Sequence, residues 1–173
     1  DYNPGWFYHL ERLPILLERR RRGPRSTSPL IRNMTFEAWA RTLKTRHTDF
    51  DWLSRDNEEV QAYIDDPACG FDCTTQLWSD LLGGLSRAHS RAALQQLPTD
   101  LPVLLMAGDS DPMSRHGKGM NALHRALQRQ GLKDLVFHEY AGGRHEILND
   151  YCRDEALTAL STWLNAHQSI SPA

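Results

Sequence analysis

Two short loops of this 173-residue sequence carry the residue types from which a proton-transfer dyad is made. The first is Gly108-Asp109-Ser110-Asp111-Pro112 and the second is Gly142-Gly143-Arg144-His145-Glu146. A histidine acting as general base offers one ring nitrogen to a nucleophile. A carboxylate on the other nitrogen fixes the tautomer and stabilises the imidazolium that forms. Asp111 and His145 are the candidate catalytic pair. Taken singly, Asp111 reads as a turn cap and His145 as a surface residue. Their order, each just past a predicted strand, favours the catalytic reading. Asp109 is the second candidate acid, and capping its own loop is its alternative role.

The elements that would position these loops follow from the apolar pattern. Val103 to Ala107 is a short continuous apolar run ended by Gly108, the pattern of a strand buried on both faces of a parallel sheet. Leu135 to Tyr140 reads as a second strand. Between them a helix carries Met120, Leu123 and Leu127 on one face and stops at Gly131. A closing helix spans Asp150 to His167, with Leu157, Leu160 and Leu164 expected to face inward. The order strand, helix, strand, helix predicts an α/β fold with a parallel sheet. In such sheets side chains act at the carboxyl ends of the strands, and two adjacent parallel strands put both loops on one edge. The glycines before His145 allow the sharp turn that returns it over the sheet. Two strands do not make a stable sheet of this kind by themselves, so more strands are expected than residues 1–173 supply.

Upstream the signals are helical. Asp1 to Arg25 holds a turn at Asn3-Pro4-Gly5, an aromatic cluster, and Leu10, Leu13, Leu16 and Leu17 at helical spacing, with Pro14 expected near a helix start. Gly23 to Pro29 reads as a loop. From Thr35 to Ser90 the pattern predicts helices. One starts at Asp56 with Val60, Tyr63 and Ile64 on a face. Another starts near Thr75 with a broad stripe of Leu77, Trp78, Leu81, Leu82 and Leu85. A third runs from Ser90 to Leu97. The expected division is a leading segment at 1–25, a helical cap at 26–97 and an α/β core at 98–173.

The stretch Leu101 to His145 resembles the C-terminal half of α/β-hydrolases of the lysophospholipase, monoacylglycerol-lipase and serine-aminopeptidase-like group. The resemblance rests on Pro102-Val103-Leu104-Leu105 leading into the Asp111 loop, and on Tyr140-Ala141-Gly142-Gly143-Arg144-His145-Glu146. Phe50-Asp51-Trp52-Leu53-Ser54-Arg55-Asp56, Tyr63 and Asp66-Pro67 are similar to the helical lid of bacterial members. The resemblance implies that Asp111 is the triad acid, that His145 is the base, and that a carboxylic ester such as an acylglycerol or lysophospholipid is the substrate. The group's order is serine, acid, histidine, with the serine in a G-x-S-x-G elbow between strand and helix. No such elbow occurs here. The nearest text, Gly84-Leu85-Ser86-Arg87-Ala88, lacks the second glycine and follows a helix, so Ser86 reads as a helix-end residue. The oxyanion-hole loop is also absent. The expectation is the C-terminal half of a hydrolase, inactive alone, with poor solubility when expressed alone. A non-catalytic scaffold or remnant serving as an interaction module is the alternative. An upstream aspartate nucleophile would point to epoxide chemistry instead.

Composition narrows the classes further. Hydrophobic residues make up 40% and charged residues 24%, ordinary for a globular protein. A net charge of -2 argues against a nucleic-acid partner. Three cysteines, Cys69, Cys73 and Cys152, make no disulfide framework and fit a reducing cytoplasm. Cys69 and Cys73 lack a second ligand pair for zinc and read as packed near Trp78. Cys152 is a candidate reactive thiol by position alone. No cofactor or metal is implied. The Arg19 to Arg22 run could make transient contact with an anionic membrane surface, though a solvated helix end is the plainer reading. Trp39, Trp52 and Trp78 could line an acyl pocket and are expected mostly as core. Oligomeric state is not legible.

Overall fold

The computed structural model describes residues 2 and 5–168. Asn3 and Pro4, and with them the expected turn, lie outside the described residues. Helix α1 spans Gly5–Arg22, α2 Pro29–Met34, α3 Phe36–Arg41, α4 Asn57–Asp65, α5 Thr75–Ala88 and α6 Arg91–Leu94. Strand β1 (Val103–Gly108), helix α7 (Lys118–Arg129), strand β2 (Leu135–Tyr140) and helix α8 (Arg153–His167) follow. The sequence writes several of these boundaries directly. Asp56, Thr74 and Ser90 each accept a backbone N–H at the start of α4, α5 and α6. Gly131 takes φ +84 just past α7, the left-handed stop that glycine makes cheaply.

Strands β1 and β2 pair in parallel, in register from Val103 opposite Leu135 to Gly108 opposite Tyr140. This is the expected α/β arrangement, and it sets the two strand ends side by side. One face of the pair packs on α7 through Leu127, Leu123, Leu105 and Leu135. Burial on both faces does not hold among the described residues, since Val103 to Ala107 are only half-buried.

Helix α1 departs from the expectation. Pro14 sits inside it, not near its start. Interior proline costs a helix about 3 kcal/mol, which lateral packing on α5 offsets here. Tyr8 and Ile15 are buried with Trp78, Leu82 and Ile31. The Tyr8 hydroxyl lies 2.7 Å from His89 Nδ1, and Arg12 Nη2 donates to Ser79 Oγ at 3.2 Å. The leucine stripe turns outward, with Leu10, Leu13, Leu16 and Leu17 exposed by 37–64%. The same spacing fits two helix faces, and the polar partners on α5 select the one that is buried. Glu18 closes the end of α1. Its buried carboxylate accepts from Arg22 Nε at 2.7 Å and from Ser28 Oγ at 2.5 Å, and Ser28 in turn caps α2.

Other stripes divide in the same way. Trp78 and Leu82 are buried on α5, while Leu77 and Leu81 are exposed; on α4, Val60 is buried and Ile64 exposed. On α8 Ala156 is fully buried and Leu160 half-buried, while the other two leucines expected to face inward, Leu157 and Leu164, are 40% and 48% exposed. His167 fastens the end of α8, with Nε2 2.8 Å from Asp134 Oδ2 at the foot of β2. Among the described residues no helix is long and apolar enough to cross a membrane. Trp78 joins α1, α2 and α5 in one cluster. Trp78→Ala is therefore expected to cost about 3–5 kcal/mol, measured as a lower denaturant midpoint. An unchanged midpoint would contradict its place in the core.

Candidate active site

The two loops meet because two glycines let them. Gly108 ends β1, and a Cβ built on it would lie 2.0 Å from Gly143 O and 2.2 Å from Gly143 C. Only hydrogen fits there. Gly142 takes φ +70, which turns the second loop back toward the first. Ser110 N donates to Gly143 O at 2.9 Å, and Asp109 N donates to Tyr140 O at 3.1 Å. Asp109 Oδ1 accepts from Gly142 N at 2.7 Å and from Ser110 Oγ at 2.9 Å. Asp109 is thus a tie between the loops, which separates it from Asp111.

Asp111 is buried. Its Oδ1 accepts from Met113 N at 2.8 Å, and its Oδ2 lies 3.2 Å from His145 Nδ1. Its backbone oxygen accepts from His116 N at 2.8 Å. Arg115, His116 and Gly117 then run through φ values of 56, 56 and 75 into α7. The His145 side chain is 34% exposed, and its ring centroid lies 5.3 Å from that of Trp52. Its other nitrogen, Nε2, makes no hydrogen bond among the described residues. An imidazole held by a buried carboxylate on one side and open on the other can accept a proton from a hydroxyl and pass it on.

A set of residues around the second loop was not legible as a site. Asp150 Oδ1 accepts from Arg55 Nε and from Tyr151 N, both at 2.6 Å. Its Oδ2 accepts from Arg55 N and Arg144 N, both at 3.1 Å. Burial works to raise the Asp150 carboxyl, but the Arg55 side chain, these backbone donors and the Arg55 charge outweigh it and hold it below the ordinary aspartate range. Asp51-Trp52-Leu53-Ser54-Arg55 supplied only a family pattern, and no periodicity placed it against residues 144–150.

The remaining candidates fall elsewhere. Ser86 lies within α5. Burial and the nearby Asp150 charge push the Cys152 thiol up, away from a reactive thiolate. Cys73 packs on the cluster that holds Trp78. Among the described residues no three His, Cys, Asp or Glu side chains converge as a metal site. A cavity of about 210 Å³ lies beside the Asp111 loop, lined by Ile15, Ile31, Trp39, Trp78, Leu82 and Met113, among others.

Comparison with known proteins places the chain in a family and a fold. Residues 17–151 match the hydrolase family described as serine aminopeptidase, S33. No curated protein matches the sequence. Among solved structures, a thermostable carboxyl esterase from Bacillus coagulans, crystallised with glycerol, is similar with a TM-score of 0.80 at 22% identity, covering 95% of this chain and 54% of its own. At that identity the likeness shows the fold. A lipase in an open form is similar with a TM-score of 0.69 at 26% identity, covering 83% of this chain and 47% of its own. The monoacylglycerol lipase of Paleococcus ferrophilus is similar with a TM-score of 0.60 at 25% identity, covering 83% of this chain and 56% of its own. The chain spans about half the length of the solved structures it matches.

Two outcomes follow from the geometry. Gly108→Ala should force the loops apart, so the Asp111–His145 contact should be absent from a crystal structure of the variant; an unmoved contact would contradict the close approach. Because the Asp150 carboxyl is depressed in the fold, its stabilisation is complete above the ordinary aspartate value. It is lost as pH falls through the lower folded value. The melting temperature should therefore drop more steeply with acid in the unmodified protein than in Asp150→Asn. Parallel curves would contradict it.

Proposed function

Because the chain belongs to the hydrolase family described as serine aminopeptidase, S33, we propose that it supplies the acid and base of a serine hydrolase acting on carboxylic esters. The observation that carries this reading is the 3.2 Å contact of His145 Nδ1 with Asp111 Oδ2 at the ends of adjacent parallel strands. In this reading Nε2 of His145 takes the proton of a serine hydroxyl as its oxygen attacks the ester carbonyl. The proton then passes to the leaving alcohol, and a water repeats the sequence to free the acid. Asp111 keeps the proton on Nδ1 and balances the imidazolium. No G-x-S-x-G serine elbow occurs among the 173 residues. This reading places the serine and the oxyanion hole in sequence outside the 173 residues.

The substrate class rests on the cavity. Its walls are mostly aliphatic and aromatic, with Glu11, Thr35 and Arg115 among them, and Met113, two residues past Asp111, forms part of them. Such a site takes an apolar acyl group. Helices in the 26–97 region would then act as the cap that selects it. An acylglycerol or lysophospholipid-like ester fits, in keeping with the lipase and monoacylglycerol lipase among the similar structures.

The test is hydrolysis of a medium-chain p-nitrophenyl ester by the polypeptide as its gene encodes it. His145→Ala and Asp111→Asn should each lower kcat by roughly 10⁴-fold, the scale of such triads, with KM little changed. A full rate in either folded variant would overturn the assignment of the pair, and no hydrolysis by the unmodified polypeptide would favour a non-catalytic scaffold.

A further inference from the structure

We propose that Arg55 and Asp150 are positioning residues for His145, acting through the backbone of its loop; the inference rests on the hydrolase reading above. The Asp150 side chain is wholly buried, and Arg55 reaches it with Nη2 as well as Nε, each 2.6 Å from Oδ1. Counting the three backbone N–H groups, the carboxylate has five donors around it. One of them is the N–H of Arg144, the residue before His145. The ion pair therefore holds the Gly143–Arg144 peptide, one unit before the peptide that leads into His145, and it bonds to neither Asp111 nor the His145 ring.

The rest of the segment bonds to the same loop. Arg144 Nη1 donates to Asp51 O at 2.5 Å and to Ser54 O at 2.7 Å. His145 N donates to Trp52 O at 3.4 Å, and Glu146 N donates to Leu53 O at 2.8 Å. Ser54 Oγ donates to Asn149 O at 2.6 Å. Residues 51–55 and 144–150 are thus laced along their length, with the buried ion pair at one end.

The lacing bears on chemistry because the dyad has little slack. At 3.2 Å the Nδ1–Oδ2 contact is already longer than the 2.7–2.9 Å usual for a charge-assisted bond. A further displacement of the loop breaks it, and misplacement of about 1 Å costs on the order of 100-fold in rate. Removing one partner of a buried ion pair leaves the other charge uncompensated, which is the push that would move the loop.

The experiment uses the polypeptide as its gene encodes it, with two readouts. One is the kcat and KM of ester hydrolysis. The other is the ¹⁵N NMR signature of His145, which reports the Nδ1–H tautomer. Arg55→Ala should lower kcat by about 100-fold with KM unchanged, and should replace the single tautomer by a mixture. Arg55→Lys, which keeps the charge but not the fork, should recover part of both. If Arg55→Ala fails to fold, Ser54→Ala keeps the ion pair and removes the Asn149 link together with the bond Ser54 Oγ accepts from Asp56 N, and should shift both readouts less, in the same direction. Unchanged kcat and an unchanged His145 signature in the folded variants would overturn the proposal. The two readings fail separately. Full activity in His145→Ala would sink the hydrolase reading, while the tautomer readout would still test the clamp.

Discussion

The absence of a side chain at Gly108 is the constraint on which the arrangement depends. Parallel pairing of β1 and β2 brings two loops to one sheet edge, but pairing alone leaves them a strand spacing apart. They close because Gly143 packs directly on the α-carbon of Gly108, a contact with no room for a Cβ. Three further bonds then fix the approach: Ser110 to Gly143, Asp109 to Tyr140, and Gly142 to Asp109. Asp111 and His145 inherit their separation from this scaffold. Their own contact is one bond among many, and it is cheap to form because the backbone has already been ordered.

A second layer of order comes from a segment remote in sequence. Residues 51–55 run along the His145 loop and bond to it by backbone and side chain. The helical part of the chain is therefore fastened to the strand part at the one place where a small displacement matters. The same segment contributes Trp52, whose ring faces His145 at 5.3 Å and whose burial joins it to Trp39 and Phe36. Trp39 also lines the cavity beside the Asp111 loop. Packing of the aromatic cluster, shape of the cavity and placement of the histidine are in this way properties of one connected set of side chains.

Much of this was legible in the sequence, for reasons that differ by element. The strands were clear because each is a compact apolar run, and β2 spans the expected Leu135 to Tyr140. Helix starts were clear where an Asp, Thr or Ser could cap them. Asp111 and His145 stood out because each follows a strand end, and the structure brings them together. What misled was the reading of helix faces. Leucines at spacings of three and four fit two sides of α1, and nothing local says that Tyr8, Arg12 and Ile15 find partners on α5. The leucines expected to face inward on α8 divide likewise, with Leu160 half-buried beside the buried Ala156 and Leu157 and Leu164 outward. The Arg55–Asp150 pair joins residues 95 apart, a distance over which no periodicity carries information.

If the Asp111–His145 pair activates a serine for attack on an acyl carbon, the activation is itself measurable. The measurement that meets it most directly is the rate at which a fluorophosphonate probe labels the polypeptide as its gene encodes it, compared between the unmodified protein and His145→Ala. The probe reacts with a serine only when a base has activated the hydroxyl. Rapid labelling at one serine is expected in the unmodified protein, and labelling slower by orders of magnitude in the variant. Equal rates, or no labelling of either, would contradict it.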